Sequence, residues 1–406
     1  MRYLICGLIM LLGSFGNVYA KADNSNKFFY SINAEIEGLS KGDTICFEVV
    51  HLPWWRLDPA FKVVVEEDGR FSYKGFVYYS QYLLMTYRPL SQKKAFTDRR
   101  GLFLFIDGED DISIKGNTEN IYYSQIQGGV YDNTYVQKIS ALENKLNIER
   151  TSFIRSVEEA RVSGDISKYK EYSDKLKSFD TDSKTDYEKL LNLKAEFAEK
   201  DPSSSLNIVE MLQQVTYTPL EELEAYYVRL NDAARKSYYG IFLRQEIDNV
   251  AMLAPGNDAP DFYVNTMDGQ QISLDDYSGS YVLIYNYGLC PGSLMVDNEV
   301  VSFFERNKDK VRVIGFTDDV NTIRFLYNEV SPDEKLMDID LKLALGGMAS
   351  HPWTDIERKG DNIQLSVDYA IVSYPFFVLI SPDRKILTRG FQDAFYEAKE
   401  IVEREK

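Results

Sequence analysis

Between Val282 and Arg404, apolar runs of strand length alternate with segments of helical period in a fixed order. Val282 to Gly288 reads as a strand, and a helix is expected from about Pro291. Val311 to Phe316 follows as a strand and Asn321 to Glu329 as a helix. Phe376 to Ile380 and Ile386 to Arg389 read as two further strands, and a last helix runs through Ala394 to Arg404. An order of this kind buries both faces of a sheet under helices and predicts an α/β unit starting near Pro255. The run Tyr281 to Tyr285 is apolar throughout rather than alternating, as a central strand covered on both sides would be.

The rest of the chain is patterned differently. From Phe28 to about Tyr135, short alternating stretches are separated by turns. Ile32, Ala34 and Ile36 alternate with polar residues, Asp68-Gly69 follows Val63 to Glu67, and Asp107-Gly108 separates Leu102 to Ile106 from Ile112 and Ile114. Asp-Gly pairs favour tight turns, so hairpins in a small antiparallel β domain are expected. From Val136 to about Ala251 the period becomes helical, with Lys, Glu and Asp spaced for i,i+4 pairing between Glu158 and Lys200, a pattern typical of solvated helix faces. Asp201-Pro202-Ser203 interrupts this region, and Thr218-Pro219-Leu220-Glu221 carries the capping residue, first-turn proline and following acid of a new helix start. The expected organisation is 1–20 a signal peptide, 21–135 the β domain, 136–252 a helical region and 253–406 the α/β domain.

The signal peptide rests on Arg2, the apolar run Tyr3 to Phe15 and the small-residue pattern of Val18-Tyr19-Ala20. The run is shorter than the roughly 20 residues of a spanning helix, and no later segment qualifies, so no transmembrane span is expected. Cys6 lies inside the apolar run, in the wrong context for lipid attachment. Removing residues 1–20 deletes one charged residue, Arg2, and takes the formal charge from −17 to −18. So acidic a chain, with no basic block, excludes nucleic acid as a natural partner. His51 and His351, its two histidines, lie far apart in sequence, which gives no metal-ligand spacing. No metal and no organic cofactor is expected. Export implies an oxidising compartment, periplasmic or cell-envelope, where Cys46 and Cys290 are too few for a disulfide scaffold.

Cys290 stands where the strand gives way to the helix. The unpaired N–H groups and positive pole of a helix N-terminus favour thiolate over thiol. Pro291 suits the first helical position, Gly292 and Ser293 offer N–H groups, and the Ser293 hydroxyl can donate to sulfur.

Over roughly residues 253 to 406 the chain resembles the thioredoxin-like superfamily, of the exported thiol–disulfide oxidoreductase and redoxin type. The resemblance is carried by Ala259-Pro260-Asp261-Phe262, Asp268-Gly269 with Ile272-Ser273-Leu274, Asp276-Tyr277-Ser278-Gly279, the strand to Tyr287, Cys290, and Tyr374-Pro375-Phe376 followed by Val378 to Ile380 and Ser381-Pro382-Asp383. It implies a central mixed sheet flanked by helices, with Pro375 cis beside the reactive cysteine and the preceding backbone at Tyr374 able to pair with a bound peptide. Residues 28 to 135 resemble the small β domain that precedes thioredoxin-like domains in many secreted Bacteroidetes proteins. The stretch at Asp201-Pro202-Ser203-Ser204 is similar to their linker.

The sequence also departs from that family. Ser293 stands where its Cys-x-x-Cys motif has the resolving cysteine, and Leu289 where an aromatic residue usually precedes the first. The carboxylate that members place six residues before or after that cysteine would fall at Ile284 or Val296, both apolar; Asp297 and Glu299 are near, but on a helix they need not face the sulfur. Cys-Pro is also similar to peroxiredoxins, but Tyr287 and Leu283 replace the threonine and proline that peroxide reduction needs.

Two readings of Cys290 stay open: a reactive monothiol exchanging with protein thiols or disulfides, and an inert cysteine in a redox-inactive module that binds a polypeptide. In the first, Cys290 is the nucleophile, supported by Ser293, with Pro291, Gly292, Tyr374 and Pro375 receiving substrate. Cys46, in the expected strand Thr44 to Val50, reads as a buried hydrophobe, with pairing to Cys290 as the alternative. His351 is expected in a surface loop, with a place at the groove's rim as the alternative. Trp54-Trp55 beside Pro53 is expected to pack against a neighbouring domain, with ligand stacking as the alternative.

Overall fold

A computed structural model of the protein describes residues 27–51, 56–88, 101–267, 269–317, 347–371 and 373–404. The expected signal peptide, the Pro53-Trp54-Trp55 segment and the helix expected at 321–329 lie outside these residues. The chain divides into two compact units. One runs to Gln214 and includes Glu222–Gln245; the other comprises Val215–Glu221 and everything from Glu246 onward.

Among the described residues the first unit opens with eight strands: β1 (Phe28–Glu37), β2 (Thr44–His51), β3 (Arg56–Val64), β4 (Arg70–Val77), β5 (Gln81–Arg88), β6 (Gly101–Ile106), β7 (Asp111–Asn117) and β8 (Gln125–Gln127). They form two four-stranded sheets, ordered β4-β1-β7-β8 and β3-β2-β5-β6. Alternation sends Ile32, Ala34 and Ile36 into a core shared with Phe47, Leu83, Met85 and Leu104.

Two details differ from the expected antiparallel hairpins. The β1–β7 pair is parallel, because the chain leaves β1, builds strands of the other sheet and re-enters beside β1 in the same direction. Asp68-Gly69 makes a tight turn closed by a single antiparallel bridge between Glu67 and Arg70, and neither Asp-Gly pair joins two strands of one sheet. Each sits where the chain changes sheets, Asp68-Gly69 between β3 and β4 and Asp107-Gly108 between β6 and β7. Gly69, at φ +76°, supplies the left-handed backbone that one such crossing needs. At the other, Asp107 N–H donates to the Asp110 carboxylate at 2.8 Å.

Helices α1 (Thr134–Ser163), α2 (Ile166–Asp182), α3 (Lys184–Lys200), α4 (Ser205–Gln214), α5 (Leu220–Arg229), α6 (Asp232–Lys236) and α7 (Tyr238–Met252) follow. Gly164, left-handed at φ 70°, ends α1, and the Asp165 side chain caps α2 by accepting from Lys168 N–H. No described helix is long and apolar enough to cross a membrane.

In the second unit a short hairpin, β9 (Tyr263–Asn265) with β10 (Gln271–Ser273), precedes a five-stranded sheet. Its strands are β11 (Tyr281–Asn286), β12 (Val311–Thr317), β13 (Thr354–Glu357), β14 (Phe376–Ile380) and β15 (Ile386–Gly390), in the order β13-β12-β11-β14-β15. β11, β12 and β13 run parallel, whereas β14 and β15 pair antiparallel. β11 is central, and its uniform apolarity follows from burial on both sides. Val282 and Ile284 join one core with Ile314, Phe316, Phe376 and Val378. Leu283 and Tyr285 join another with Val296, Val300 and Phe303 of α8 (Pro291–Asn307) and with Phe395, Ala398 and Val402 of the last helix. That helix, α10 (Gln392–Arg404), follows a one-turn α9 (Ile363–Asp368).

Candidate functional site

The site grows from the β11–α8 junction. Cys290 is the N-cap of α8, with extended backbone (φ −86°, ψ 155°), and Pro291 opens the first turn. The cap is made by sulfur, since Ser293 N–H donates to Cys290 Sγ at 3.4 Å. Ser293 is fully buried, with its hydroxyl 3.3 Å from the same sulfur and accepting from Gly288 N–H at 3.2 Å. The Ser293 hydroxyl therefore closes the loop 288–293 and lies against Sγ.

Tyr374 and Pro375 approach from the start of β14. The Tyr374–Pro375 peptide bond is cis, and the Tyr374 carbonyl lies 3.6 Å from Sγ, close enough to accept from the thiol. The approach is tight on both sides of the cysteine. A Cβ at Gly292 would stand 2.9 Å from Pro375 Cδ, and one at Gly288 would touch the Tyr374 ring at 3.2 Å. Asn286, at the end of β11, donates to Ser373 O at 2.6 Å and ties down the segment before the proline. The Arg358 guanidinium lies over the Tyr374 ring, 5.1 Å from its centroid, and donates to its hydroxyl. Cys290 is half-buried, and its chain neighbour Leu289 is 40% exposed. A partly open thiol thus sits next to an exposed apolar side chain and a backbone carbonyl.

All six expected site residues, Cys290, Pro291, Gly292, Ser293, Tyr374 and Pro375, belong to this junction. Cys46 and Cys290 lie in different units and are both free; Cys46 is 5% exposed within its strand. The expected surface position of His351 is corrected, because its side chain is fully buried. Nε2 stands 3.0 Å from Asp297 Oδ1, and Nδ1 3.1 Å from Asp355 Oδ1. The ring stacks on Trp353 at 4.3 Å and meets the edge of Tyr287 at 4.8 Å. Burial opposes the imidazolium, but hydrogen bonds to both carboxylates outweigh it and push the histidine up to about 9.

Asp297 is also fully buried, and Tyr285 Oη donates to its Oδ1 at 3.1 Å. Burial first, and then the Asp297 charge, hold the Tyr285 phenol neutral far above its usual range. Glu299, two residues on, is exposed and accepts from Tyr396. Sequence reasoning missed Asp297, His351 and Asp355 as a group. The available signals were the seven-residue step from Cys290 to Asp297, which returns to the same helix face, and the i,i+4 step from His351 to Asp355.

The first unit carries a separate cleft of about 1020 Å³ bordered by Tyr82, Phe103, Tyr122, Glu143, Lys194 and Glu210. Lys194 is paired there with Glu143 at 2.8 Å and Glu210 at 3.7 Å. Among the described residues no cluster of His, Cys, Asp and Glu has a geometry suited to a metal ion.

No family model matches the chain, and no curated protein matches it. Solved structures do. The thioredoxin domain of a thiol-disulfide oxidoreductase from Bacteroides vulgatus is 21% identical, with 37% of this chain and 96% of that chain covered and a TM-score of 0.28. A thiol:disulfide interchange protein from Bacteroides sp. is 20% identical, covering 37% and 91% with a TM-score of 0.27. An exposed lipoprotein thioredoxin from Streptococcus pneumoniae is 17% identical, covering 35% and 99% with a TM-score of 0.25. The neighbours are thus thioredoxin-like and thiol-disulfide oxidoreductase proteins, several of them from Bacteroides, and the similarity spans about a third of the chain.

Proposed function

We propose that the chain is an exported thioredoxin-like protein that exchanges disulfides with polypeptides through a single thiol, Cys290. The observation that carries this reading is the contrast between the two cysteines: Cys290 is partly open at a helix N-cap with a backbone N–H on its sulfur, whereas Cys46 is enclosed in a strand. In the first step the Cys290 thiolate attacks one sulfur of a substrate disulfide. The substrate S–S bond breaks, a mixed disulfide with Cys290 forms, and the departing thiolate takes a proton from water. In the second, an external thiolate or a second thiolate of the substrate attacks the mixed disulfide and releases Cys290. Electrons are only exchanged between substrate and external thiol, so the cycle needs no resolving cysteine at position 293. The α8 N-terminus and Ser293 support the thiolate, while Tyr374, Pro375, Pro291 and Gly292 form the surface that receives the polypeptide.

A second reading has its own observation. The Tyr374 carbonyl at 3.6 Å from Sγ favours a protonated sulfur that donates to it, which suits a redox-inactive module holding a polypeptide in the same groove. Reaction of the folded protein with a chromogenic aromatic disulfide separates the two, with Cys46→Ala and Cys290→Ala as controls. Rapid release of one chromophore per chain, lost in Cys290→Ala and kept in Cys46→Ala, supports exchange. Release only after unfolding supports the binding module.

A further inference from the structure

Cys290, Ser293 and Asp297 fall at i, i+3 and i+7 of one helix, and that spacing puts them in a single stripe along one face. Ser293 and Asp297 are both fully buried, so the stripe runs inward from the thiol for two turns, roughly 10 Å. It ends on a charged cluster that the exchange chemistry has not used. Asp297 bridges to His351, His351 to Asp355, and the Tyr285 hydroxyl joins from the sheet. Burial and Asp297 first, then Tyr287 and last Cys290, raise the Tyr285 phenol, so thiol and cluster share one electrostatic neighbourhood. Asp297 Oδ2, although buried, has no hydrogen-bond partner among the described residues, an expensive arrangement for a purely structural carboxylate. Among the described residues, the polar, charged and ring groups facing His351 are Asp297 from α8, Asp355 from β13, Tyr285 from β11, Tyr287 just beyond it, and the Trp353 ring.

We propose that the buried Asp297–His351 pair is a charge-control element for Cys290, in which the carboxylate opposes negative charge on the sulfur and the imidazolium supports it. Neither residue touches substrate; both act through Cys290 as positioning residues. The inference rests on Cys290 being the working thiol of the exchange reaction. Such an element makes thiol reactivity depend on a proton held away from solvent.

The direct test uses the coupling in reverse, because interacting sites perturb one another equally. A fixed negative charge at position 290 raises the His351 titration midpoint if the two are coupled. The intact chain with Cys290→Asp is compared with Cys290→Ser by NMR of the labelled imidazoles, with His51 as the reference signal. For a unit charge on the order of 10–13 Å away and an effective dielectric of ~20, the midpoint in Cys290→Asp lies roughly one pH unit higher. Equal midpoints overturn the proposal. A second arm follows the pH dependence of Cys290 alkylation in a Cys46→Ala background: Asp297→Asn moves its midpoint down and His351→Gln moves it up. Shifts in the same direction, as a common loss of packing would give, also overturn it. The outcomes separate the two levels of the account. Disulfide exchange with equal histidine midpoints defeats this inference alone, and unequal midpoints without exchange defeat the functional reading alone.

Discussion

Replacing His351 by Gln removes a buried positive charge from between two carboxylates and changes how the stability of the second unit depends on pH. The folded protein holds the His351 proton up to about pH 9, against 6.5 for an unperturbed histidine. A group bound more tightly when folded stabilises the fold fully below its unfolded value, progressively less as pH rises towards the folded one, and not at all above it. The affected window is therefore pH 6.5 to about 9. At about 1.4 kcal/mol per pH unit, the gap corresponds to about 3 kcal/mol, and the side chain is fully buried, so solvent screening does not discount it. The assay is urea unfolding followed by tryptophan fluorescence in a Trp54→Phe, Trp55→Phe background. Trp353, stacked on His351 at 4.3 Å, is then the only reporter. The stability difference between the histidine protein and His351→Gln should be largest at pH 6 and shrink by about 3 kcal/mol by pH 9.5. A difference that stays constant across that range would refute the assignment of a retained proton to His351.

Further outcomes follow from the same contacts. At Gly315 a Cβ would lie 2.0 Å from Asp355 Oδ1 and 2.8 Å from Trp353 Nε1, so Gly315→Ala should displace Asp355 and lower stability by about 3 kcal/mol in urea unfolding. Phe303→Ala empties a fully buried position between α8 and Phe395 and should cost about 3–5 kcal/mol by the same measurement. Ser293→Cys creates a dithiol where the hydroxyl already sits 3.3 Å from Sγ. An oxidised form one disulfide heavier in bonding, seen as a 2 Da loss by mass spectrometry (about the mass of two hydrogens), should appear only in that variant.

The central sheet of the second unit was legible because its strands are read by burial on both faces. Val282 to Tyr287 needs no partner to declare itself a covered strand. The junction was legible for a similar reason, since a cap, a proline at the first helical position and a small loop are all local. What escaped the sequence was long-range. The parallel β1–β7 pair and the sheet-switching Asp-Gly turns depend on which strand comes home beside which, and a local turn preference carries no such information. His351 looked like a loop residue because its two acidic partners lie 54 positions earlier and four positions later. Only folding brings α8 and β13 together around it. The exposure of Leu289 was equally invisible, because an apolar residue near a strand end ordinarily signals core.

The most direct test of the central claim is a complete exchange cycle on a polypeptide. The Cys46→Ala protein is mixed with an oxidised cysteine-containing peptide, quenched at intervals with acid and weighed intact, then challenged with a small external thiol. The account predicts a peptide adduct on Cys290 formed by the folded chain, absent in Cys290→Ala, and released by the external thiol with recovery of the free cysteine. A folded chain that forms no adduct while its unfolded form does would contradict it, leaving the groove beside Tyr374 and Pro375 as a binding surface without redox chemistry.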